Sequence, residues 1–279
     1  TKAAYWYGKA AEKGHGEAQL DLAIMYDFGL GVPQNHEKAS QLYQKPAEEG
    51  SVLAQFNLGV LYANGKGVPR DDKQATNWYR KAADQGLDRA QYNLAVRYDL
   101  GKGVPKDHKQ ASYWYRKAAE QDLAIAQFDL GVIYEEGQSV QQDYEQAMHW
   151  YLKAAGQGMA DAQYNIGGMY NRGRGVPKDY LKAAEWYLKA AEQGYSKAEY
   201  NLGVLYDNGR GLPRDRKLAA KWFLKAAEHG LAKAQYNMGA FYAMGEGVPR
   251  DYIKSHVWFN LASAQGHKEA QQARDKLAT

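Results

Sequence analysis

Glycine and lysine occur together in several short loops of the sequence, a combination that can hold a phosphate group. Two examples are the GKG segments at 65–67 and 101–103. Phosphate-binding loops of the G-x-x-x-x-G-K-[ST] type follow a β-strand and use successive backbone N–H groups together with the lysine. Neither segment has that spacing or a strand-like sequence before it. The pattern instead predicts a turn, with glycine adopting positive φ where a helix ends.

The same loops contain a second candidate catalytic group, a carboxylate at their last position. The loop sequence G-x-G-[VL]-P-x-[DN] recurs along the chain, for example as GVPKD at 175–179. The residues that close the copies are Asn35, Asp71, Asp107, Asp143, Asp179, Asp215 and Asp251. A catalytic acid or base would be unique, and asparagine cannot serve as one. These residues are therefore predicted to cap the N-termini of the helices that follow.

Other residue types that perform catalysis or bind metals have no suitable spacing. The chain has no cysteine, which excludes thiolate metal sites and Cys–His nucleophiles. No G-x-S-x-G segment occurs, and no two histidines have the H-x-x-x-H spacing of a metal site. The histidines are His15, His36, His108, His149, His229, His256 and His267. The sequence predicts no catalytic residue, no metal and no cofactor.

The best candidates for binding are two rows of residues spaced 36 apart. The polar row is Asp21, Asn57, Asn93, Asp129, Asn165, Asn201 and Asn237. The mostly aromatic row directly before it is Leu20, Phe56, Tyr92, Phe128, Tyr164, Tyr200 and Tyr236. Asparagine offers both a donor and an acceptor, which suits the backbone of an extended peptide. Alternatively, the polar row binds a neighbouring helix backbone inside the fold, which would also explain a poor helix former in a helix.

A third set of candidates consists of positions where single repeats depart from the common pattern. They are Phe28, Arg97, Leu100, Glu135, Glu136, Arg172 and Met244. Such differences give each repeat its own charge and apolar surface, as a selective binding groove requires. Random drift on a solvent-exposed face explains them equally well.

The elements that position these residues follow from a strict period. An Ala-Gln or Ala-Glu pair begins at 18, 54, 90, 126, 162, 198, 234 and 270, always 36 residues apart. A fixed period of this length is typical of stacked repeats. Each period contains two helical apolar patterns, and we call the helix that begins near the Ala-Gln pair the first helix and the one after the loop the second helix. All seven tryptophans share one position of the second helix, which favours a core that links repeats.

Composition agrees with an all-α protein that carries no strong charge signal. Of the 279 residues, 45% are hydrophobic, enough for a buried core, and no stretch approaches the roughly 20 apolar residues of a membrane helix. With 36 basic and 32 acidic residues, the net charge is only +4. Nucleic-acid binding by tyrosines and scattered basic residues is therefore disfavoured, and no membrane insertion is predicted.

The repeat pattern resembles that of the Sel1-like repeat family, a relative of the tetratricopeptide repeat. The shared features are the G-x-G-[VL]-P-x-D loop and the Ala…Trp-Tyr…Lys-Ala-Ala-Glu-x-Gly second helix at 36-residue spacing, over nearly the whole chain. The resemblance implies a right-handed α-α superhelix whose first helices line a concave groove for a protein or peptide. The predicted groove residues are Asp21, Asn57, Asn93, Asp129, Asn165, Asn201, Asn237, Tyr92, Tyr164, Tyr200, Tyr236, Arg97 and Arg172.

The resemblance also implies alternatives to a non-catalytic scaffold or adaptor. A cysteine-rich bacterial branch of the family is linked to β-lactam binding, but this chain has no cysteine, so that branch is a poor guide. A β-lactam-hydrolysing enzyme is disfavoured because no Ser/Lys/Glu constellation stands out from the periodic pattern. A self-assembling structural protein is another alternative. Members occur in the bacterial periplasm, outside the cell and in the cytoplasm, so the resemblance is compatible with each location.

The predicted organisation is a partial repeat over 1–14, seven complete repeats over 15–266 and a C-terminal capping helix over 267–279. The first segment has only a second helix, which predicts either that the natural protein continues upstream or that the chain was shortened. Trp6 and Tyr7 would then be exposed and promote end-to-end self-association. Two irregularities stand out: Pro46 predicts a kink or an early helix end, and the loop at 137–143 (GQSVQQD) predicts looser repeat geometry.

Overall fold

The computed structural model describes residues 2–277, and this part of the chain contains helices and no strand. Thr1, Ala278 and Thr279, at the outer ends of the predicted first and last segments, lie outside it. The predicted all-α fold with a 36-residue period is confirmed. The described helices are α1 (Lys2–Glu12), α2 (Gly16–Phe28), α3 (His36–Glu48), α4 (Val52–Asn64), α5 (Asp72–Asp84), α6 (Asp88–Leu100), α7 (His108–Glu120), α8 (Ala124–Glu136), α9 (Tyr144–Gly156), α10 (Ala160–Arg172), α11 (Tyr180–Ala191), α12 (Ser196–Asn208), α13 (Arg216–Glu228), α14 (Ala232–Met244), α15 (Tyr252–Ala264) and α16 (Lys268–Leu277).

The helices form two compact units, one ending at Gln142 and the other beginning at Asp143. Within each unit, every helix packs against the helices that precede and follow it in the sequence. Even-numbered helices are the first helices of the repeats, and odd-numbered helices are the second helices. The boundary between the units falls in the loop 137–143, where the sequence predicts looser geometry.

The core of each repeat forms where an aromatic ring of the second helix meets a small residue of the first helix. The ring of Tyr79 in α5 is 3% exposed, and a Cβ on Gly59 of α4 would approach that ring to 2.7 Å. A side chain at Gly59 would therefore push the two helices apart. The tryptophans extend the core between repeats, since Trp78 of α5 packs with Tyr43 of the preceding repeat. Trp6 of α1, by contrast, is 67% exposed.

The loop after each first helix reverses the chain with two glycines that do different things. The first glycine ends the helix in the left-handed conformation, as Gly101 does after α6 with φ 66°. The second, Gly103, has φ 74°, and a Cβ on it would lie 2.0 Å from the carbonyl oxygen of Asp72 in the preceding second helix. The loop backbone thus packs directly against α5, and only glycine fits there.

Loop 137–143 also reverses the chain, but it has no second glycine. Ser139 occupies that position with φ 62°, and its hydroxyl lies 2.9 Å from both the carbonyl oxygen of His108 and the hydroxyl of Ser112. Since Ser139 carries a Cβ, its backbone cannot approach α7 as closely as Gly103 approaches α5. Side-chain hydrogen bonds replace close backbone packing.

Second helices begin at the predicted caps and end at positive-φ residues. The Asp107 carboxylate accepts hydrogen bonds from the backbone N–H groups of Lys109 and Gln110, and Asn35 caps α3 in the same way. Asp122 takes the place of glycine after α7 with φ 62°, a conformation that aspartate tolerates better than most residues.

The predicted early end of α3 at Pro46 is wrong. The helix continues to Glu48 and has the same 13-residue length as α5 and α7. Proline removes one backbone N–H, so the carbonyl group of Leu42 loses its helical donor. The remainder of the turn is retained, because Glu49 still donates to the carbonyl oxygen of Lys45 and Ser51 to that of Pro46.

Candidate functional site

The polar row on the first helices is half-buried and takes part in packing. Asn57 donates a hydrogen bond from Nδ2 to the hydroxyl oxygen of Tyr43, at 3.1 Å. Asn201 donates in the same way to Tyr187, where burial raises the pKa of the tyrosine hydroxyl to about 12. The partner is a side chain of the preceding second helix, not a helix backbone. The seven residues of the row, all half-buried, are Asp21, Asn57, Asn93, Asp129, Asn165, Asn201 and Asn237.

The aromatic row is also half-buried and packs on the second helix of its own repeat. The ring of Tyr164 lies 5.7 Å from that of Tyr187, and the ring of Tyr200 lies 5.6 Å from that of Phe223. These are tilted contacts within the distance range of stabilising aromatic pairs. Other members with the same contact are Phe56, Tyr92 and Tyr236.

Three cavities open between successive first helices, and each is lined by one member of the polar row. We name them after that residue. The Asn93 cavity, about 290 Å³, lies between α4 and α6, and the Asp129 cavity, about 270 Å³, lies between α6 and α8. The Asn201 cavity is the largest of the three, about 560 Å³, and involves α10, α12 and α14.

Arg97 lines the Asn93 cavity, but only 10% of its side-chain surface is exposed. Its Nη1 lies 2.6 Å from Oδ1 of Asp72, and its guanidinium lies over the ring of Tyr79. Burial alone would raise the pKa of the Asp72 carboxyl, but hydrogen bonds from Arg97 and Arg70 hold it below its usual value. The Arg97 side chain therefore mainly stabilises the fold, whereas Lys102, which lines the same cavity, is exposed.

The Asp129 cavity is acidic. Burial raises the pKa of the Asp129 carboxyl to about 6, a hydrogen bond from the Tyr92 hydroxyl opposes that shift, and the nearby charge of Asp99 adds to it. Asp99 itself pairs with His108, with 2.8 Å between Oδ1 and Nδ1. Tyr115 completes this group, and burial raises the pKa of its hydroxyl.

The Asn201 cavity combines aromatic walls with a basic rim. Tyr164, Tyr200 and Leu231 contribute apolar surface, and Lys197 and Lys233 are exposed at its edge. The predicted residues Tyr164, Tyr200 and Asn201 are thus brought together in one cavity.

Three departures from the repeat pattern are large exposed apolar side chains near the ends of first helices, namely Phe28, Leu100 and Met244. Arg172 and Glu136 are also exposed, and Glu135 is half-buried.

The repeat profile of a known family matches this chain segment by segment. The description of that profile is Sel1 repeat, and it matches residues 1–15, 16–51, 52–87, 88–123, 124–159, 160–195, 196–231 and 232–267. The chain belongs to the Sel1 repeat family. Its fold is the helical solenoid of that family, typically a protein-interaction scaffold.

Solved structures of other Sel1 repeat proteins are similar to this one. A protective antigen from uropathogenic Escherichia coli is 35% identical, with a TM-score of 0.93, over 98% of this chain and 59% of that one. A Sel1 repeat protein from Oxalobacter formigenes is 38% identical, with a TM-score of 0.83, over 98% and 79%. The chain therefore spans about three fifths of the length of the E. coli protein. Yeast Tom70 is 14% identical, with a TM-score of 0.50, over 99% of this chain and 58% of that one, and is similar in fold alone. No curated protein matches the chain.

The glutamine of each Ala-Gln pair, in the sequence only a marker of the period, joins consecutive Sel1 repeats in the structure. Gln91 donates from Nε2 to the carbonyl oxygen of Ala83 in the preceding helix, and accepts from Nε2 of Gln121 at 2.8 Å. Other donors to an alanine carbonyl oxygen are Gln55, Gln127, Gln163 and Gln235. The signal available in the sequence was the recurrence of glutamine at one fixed position, directly after the alanine of each first helix.

One Sel1 repeat replaces both glutamines together. Glu199 stands at the position of Gln91 and is 1% exposed, and His229 stands at the position of Gln121. His229 Nδ1 lies 2.8 Å from Oε2 of Glu199. A carboxylate–imidazole pair thus takes the place of the amide pair between the first helix and the end of the second helix.

The described Sel1 repeats contain no arrangement typical of a metal site or a membrane span. Within residues 2–277, no group of three or more histidine, aspartate or glutamate side chains is placed to hold a metal ion. In that same part of the chain, no helix is both long and apolar enough to cross a bilayer.

Proposed function

We propose that this Sel1 repeat protein is a non-catalytic scaffold that binds a protein or peptide segment along its first helices. The supporting observation is the recurrence of cavities between successive first helices, each lined by a residue of the polar row. Binding sites are concave and largely apolar with a few polar groups, and the Asn201 cavity, with Tyr164, Tyr200 and Leu231 in its lining, has that character most clearly.

The differences between the cavities support selectivity. The Asn93 cavity has one exposed lysine, Lys102, the Asp129 cavity has two carboxylates, and the Asn201 cavity has aromatic rings with two lysines at its edge. A partner with the wrong charge at one cavity would leave a charge unpaired or repelled. A solenoid can in this way distinguish partners although every repeat has the same backbone.

A role in binding rather than catalysis is supported by the interactions that the charged groups make within the fold. The recurring aspartates after the loops accept backbone hydrogen bonds at helix N-termini, as Asp107 and Asp215 do. Asp72 and Asp99 pair with Arg97 and His108. These interactions serve the fold, and the shifted pKa of Asp129 follows from its burial.

The test must block a cavity without removing hydrogen bonds, because the polar row also stabilises the fold. Ala232→Trp places an indole at the Asn201 cavity, and Ala63→Trp does so at the Asn93 cavity. Ala264→Trp, at the exposed end of α15, is the matched control. Peptides selected from a displayed random library on the wild-type protein are measured by fluorescence anisotropy against all three variants.

We expect the selected peptides to bind saturably and to lose about tenfold or more in affinity with one of the two cavity variants, a loss of ~1.4 kcal/mol or more. The control variant should bind like the wild type. Circular dichroism must show that all variants remain helical. If no peptide binds saturably, or if binding is indifferent to both cavity variants, the proposal is wrong.

A further inference from the structure

Two lysines occupy the same position of consecutive first helices and both line the Asn201 cavity. Lys197 lies in α12 and Lys233 in α14, 36 residues apart, and both are exposed. No ion pair or hydrogen bond described for residues 2–277 involves either ammonium group. The same position in the other complete repeats varies in charge and polarity: Glu17, Leu53, Arg89, Ile125 and Asp161.

Folding does not account for these two lysines. Each lies in the first turn of its helix, where the helix dipole disfavours a cation by typically about 0.3–1 kcal/mol. In α14 no acidic residue in the first turn compensates. In α12 the acidic residue of the first turn is Glu199, which is buried and paired with His229. Both ammonium groups therefore remain available to a ligand.

The interior of the cavity leaves mainly apolar surface for a ligand. The Asn201 amide is engaged with the Tyr187 hydroxyl, and Gln265 donates to the carbonyl oxygen of Gly230. What remains is the surface of Tyr164, Tyr200 and Leu231. A volume of about 560 Å³ falls within the range of roughly 300–1,000 Å³ that is usual for binding pockets.

We propose that the Asn201 cavity binds an acidic segment of a partner protein. A large apolar side chain of the segment enters between Tyr164 and Tyr200, and carboxylates on either side of it pair with Lys197 and Lys233. This inference rests on the proposed binding function and adds the class of partner. Charge distinguishes this cavity from the Asp129 cavity, because the carboxylates of Asp99 and Asp129 would repel the same segment there.

The test uses a fluorescein-labelled pentapeptide in which one phenylalanine is flanked by two glutamates on each side. Binding to the wild-type protein should be saturable, and the double variant Lys197→Gln/Lys233→Gln should weaken it by about tenfold or more. The matched control is Lys217→Gln/Lys221→Gln, which removes two exposed lysines from α13 and lowers the net charge equally. The control should retain wild-type affinity.

A second pair of measurements makes the result specific for charge and for the apolar side chain. The double variant Lys197→Glu/Lys233→Glu should lose the acidic peptide and bind the corresponding peptide with lysines in place of glutamates. Replacing the phenylalanine by glycine in the acidic peptide should weaken binding to the wild type. Circular dichroism of each variant checks that it is folded.

The inference and the proposed function fail in different ways. If library peptides depend on the cavities but the acidic peptide does not bind, the inference is overturned while the proposed function stands. The inference is also overturned if the acidic peptide binds the Lys197/Lys233 variants and the control alike. If neither library peptides nor the acidic peptide bind, both proposals are wrong.

Discussion

At the scale of single residues, Asp129 shows how one substitution changes the character of a repeated position. Asn57 and Asn93, at the same position, donate to tyrosine hydroxyls. Asp129 cannot donate when ionised, and it accepts from Tyr92 instead. The result is a partly buried carboxylate that faces a second one at Asp99. Its ionisation therefore opposes folding.

We predict that Asp129→Asn stabilises the protein above pH 6 but not below pH 4. The pKa of Asp129 is raised from 3.8 to about 6 in the folded state, chiefly by burial, so its contribution to stability is full below the unfolded pKa and is lost as pH rises through the folded pKa. The asparagine cannot ionise, so the free energy of unfolding of the variant should exceed that of the wild type by at most about 3 kcal/mol near neutral pH. Urea unfolding across this pH range measures the difference.

Asn237→Asp is the comparison for that experiment, because it places a carboxylate at the same position of α14. Like the native Asp129, it should lower stability near neutral pH and have little effect in acid. A gain for Asp129→Asn that does not vary with pH would contradict the explanation by ionisation.

The polar row also shows what residue spacing can and cannot predict. The 36-residue spacing identified the row, and the side chains do lie together on the first helices. From the sequence, the polar row could either bind a ligand or pack against the backbone of a neighbouring helix. The partners are instead the tyrosine hydroxyls, 14 positions earlier for Asn57. That pairing depends on how far one repeat is rotated on the next, which composition and spacing do not define.

At the scale of elements, the loops between helices depend on backbone contact more than on side chains. The second glycine lies against the start of the preceding second helix, and this explains its recurrence better than flexibility does. Sequence reasoning predicted positive φ for glycine, but not the close approach, because the neighbouring helix comes from another repeat. The early end predicted for α3 at Pro46 was wrong because a proline near a helix end removes only one backbone hydrogen bond. The hydrogen bonds of the following residues persist.

We predict that Gly103→Ala destabilises the protein by several kcal/mol and that Gly86→Ala costs only about 1 kcal/mol. Both residues have positive φ, so alanine is strained at each. A Cβ at Gly103 would meet the Asp72 carbonyl oxygen at 2.0 Å, whereas a Cβ at Gly86 meets nothing within 4 Å. Thermal unfolding measures the two costs. Equal costs would show that backbone strain, and not the contact with α5, explains the glycine.

At the scale of the whole molecule, the fold could be predicted and the cavities could not. The exact period, the paired helical patterns and the capped loops all specified one unit, and that unit determines the fold. Each cavity, in contrast, is formed by side chains of several helices. The Asn201 cavity takes residues from three first helices and from the turn after α15. Such a combination is not visible in any one repeat, although its members Tyr164, Tyr200 and Asn201 were identified singly.

We predict that deleting residues 52–87, one complete period, leaves a folded helical protein with a lower melting temperature. The deletion joins Ser51 to Asp88, so that α3 is again followed by a first helix, and repeat stability is close to a sum over neighbours. Deleting 52–69 instead removes α4 and its loop and brings two second helices together. Circular dichroism should show cooperative melting for the first deletion and loss of cooperativity for the second. Cooperative melting of both would contradict a fold built from helix pairs.

The paired substitution of Glu199 and His229 has a consequence for the history of the chain. Both residues lie within the single segment 196–231, as Gln91 and Gln121 both lie within 88–123. A gene duplication that copies one such segment therefore carries a complete, matched pair, whichever chemistry it uses. In the repeats that use glutamines, the bonds that reach the preceding segment end on backbone carbonyl oxygens, that of Ala83 for Gln91 and that of Gly86 for Gln121, and every segment offers such oxygens. Copies can accordingly be gained, lost or exchanged as blocks, while each block keeps its own carboxylate–imidazole or amide pair.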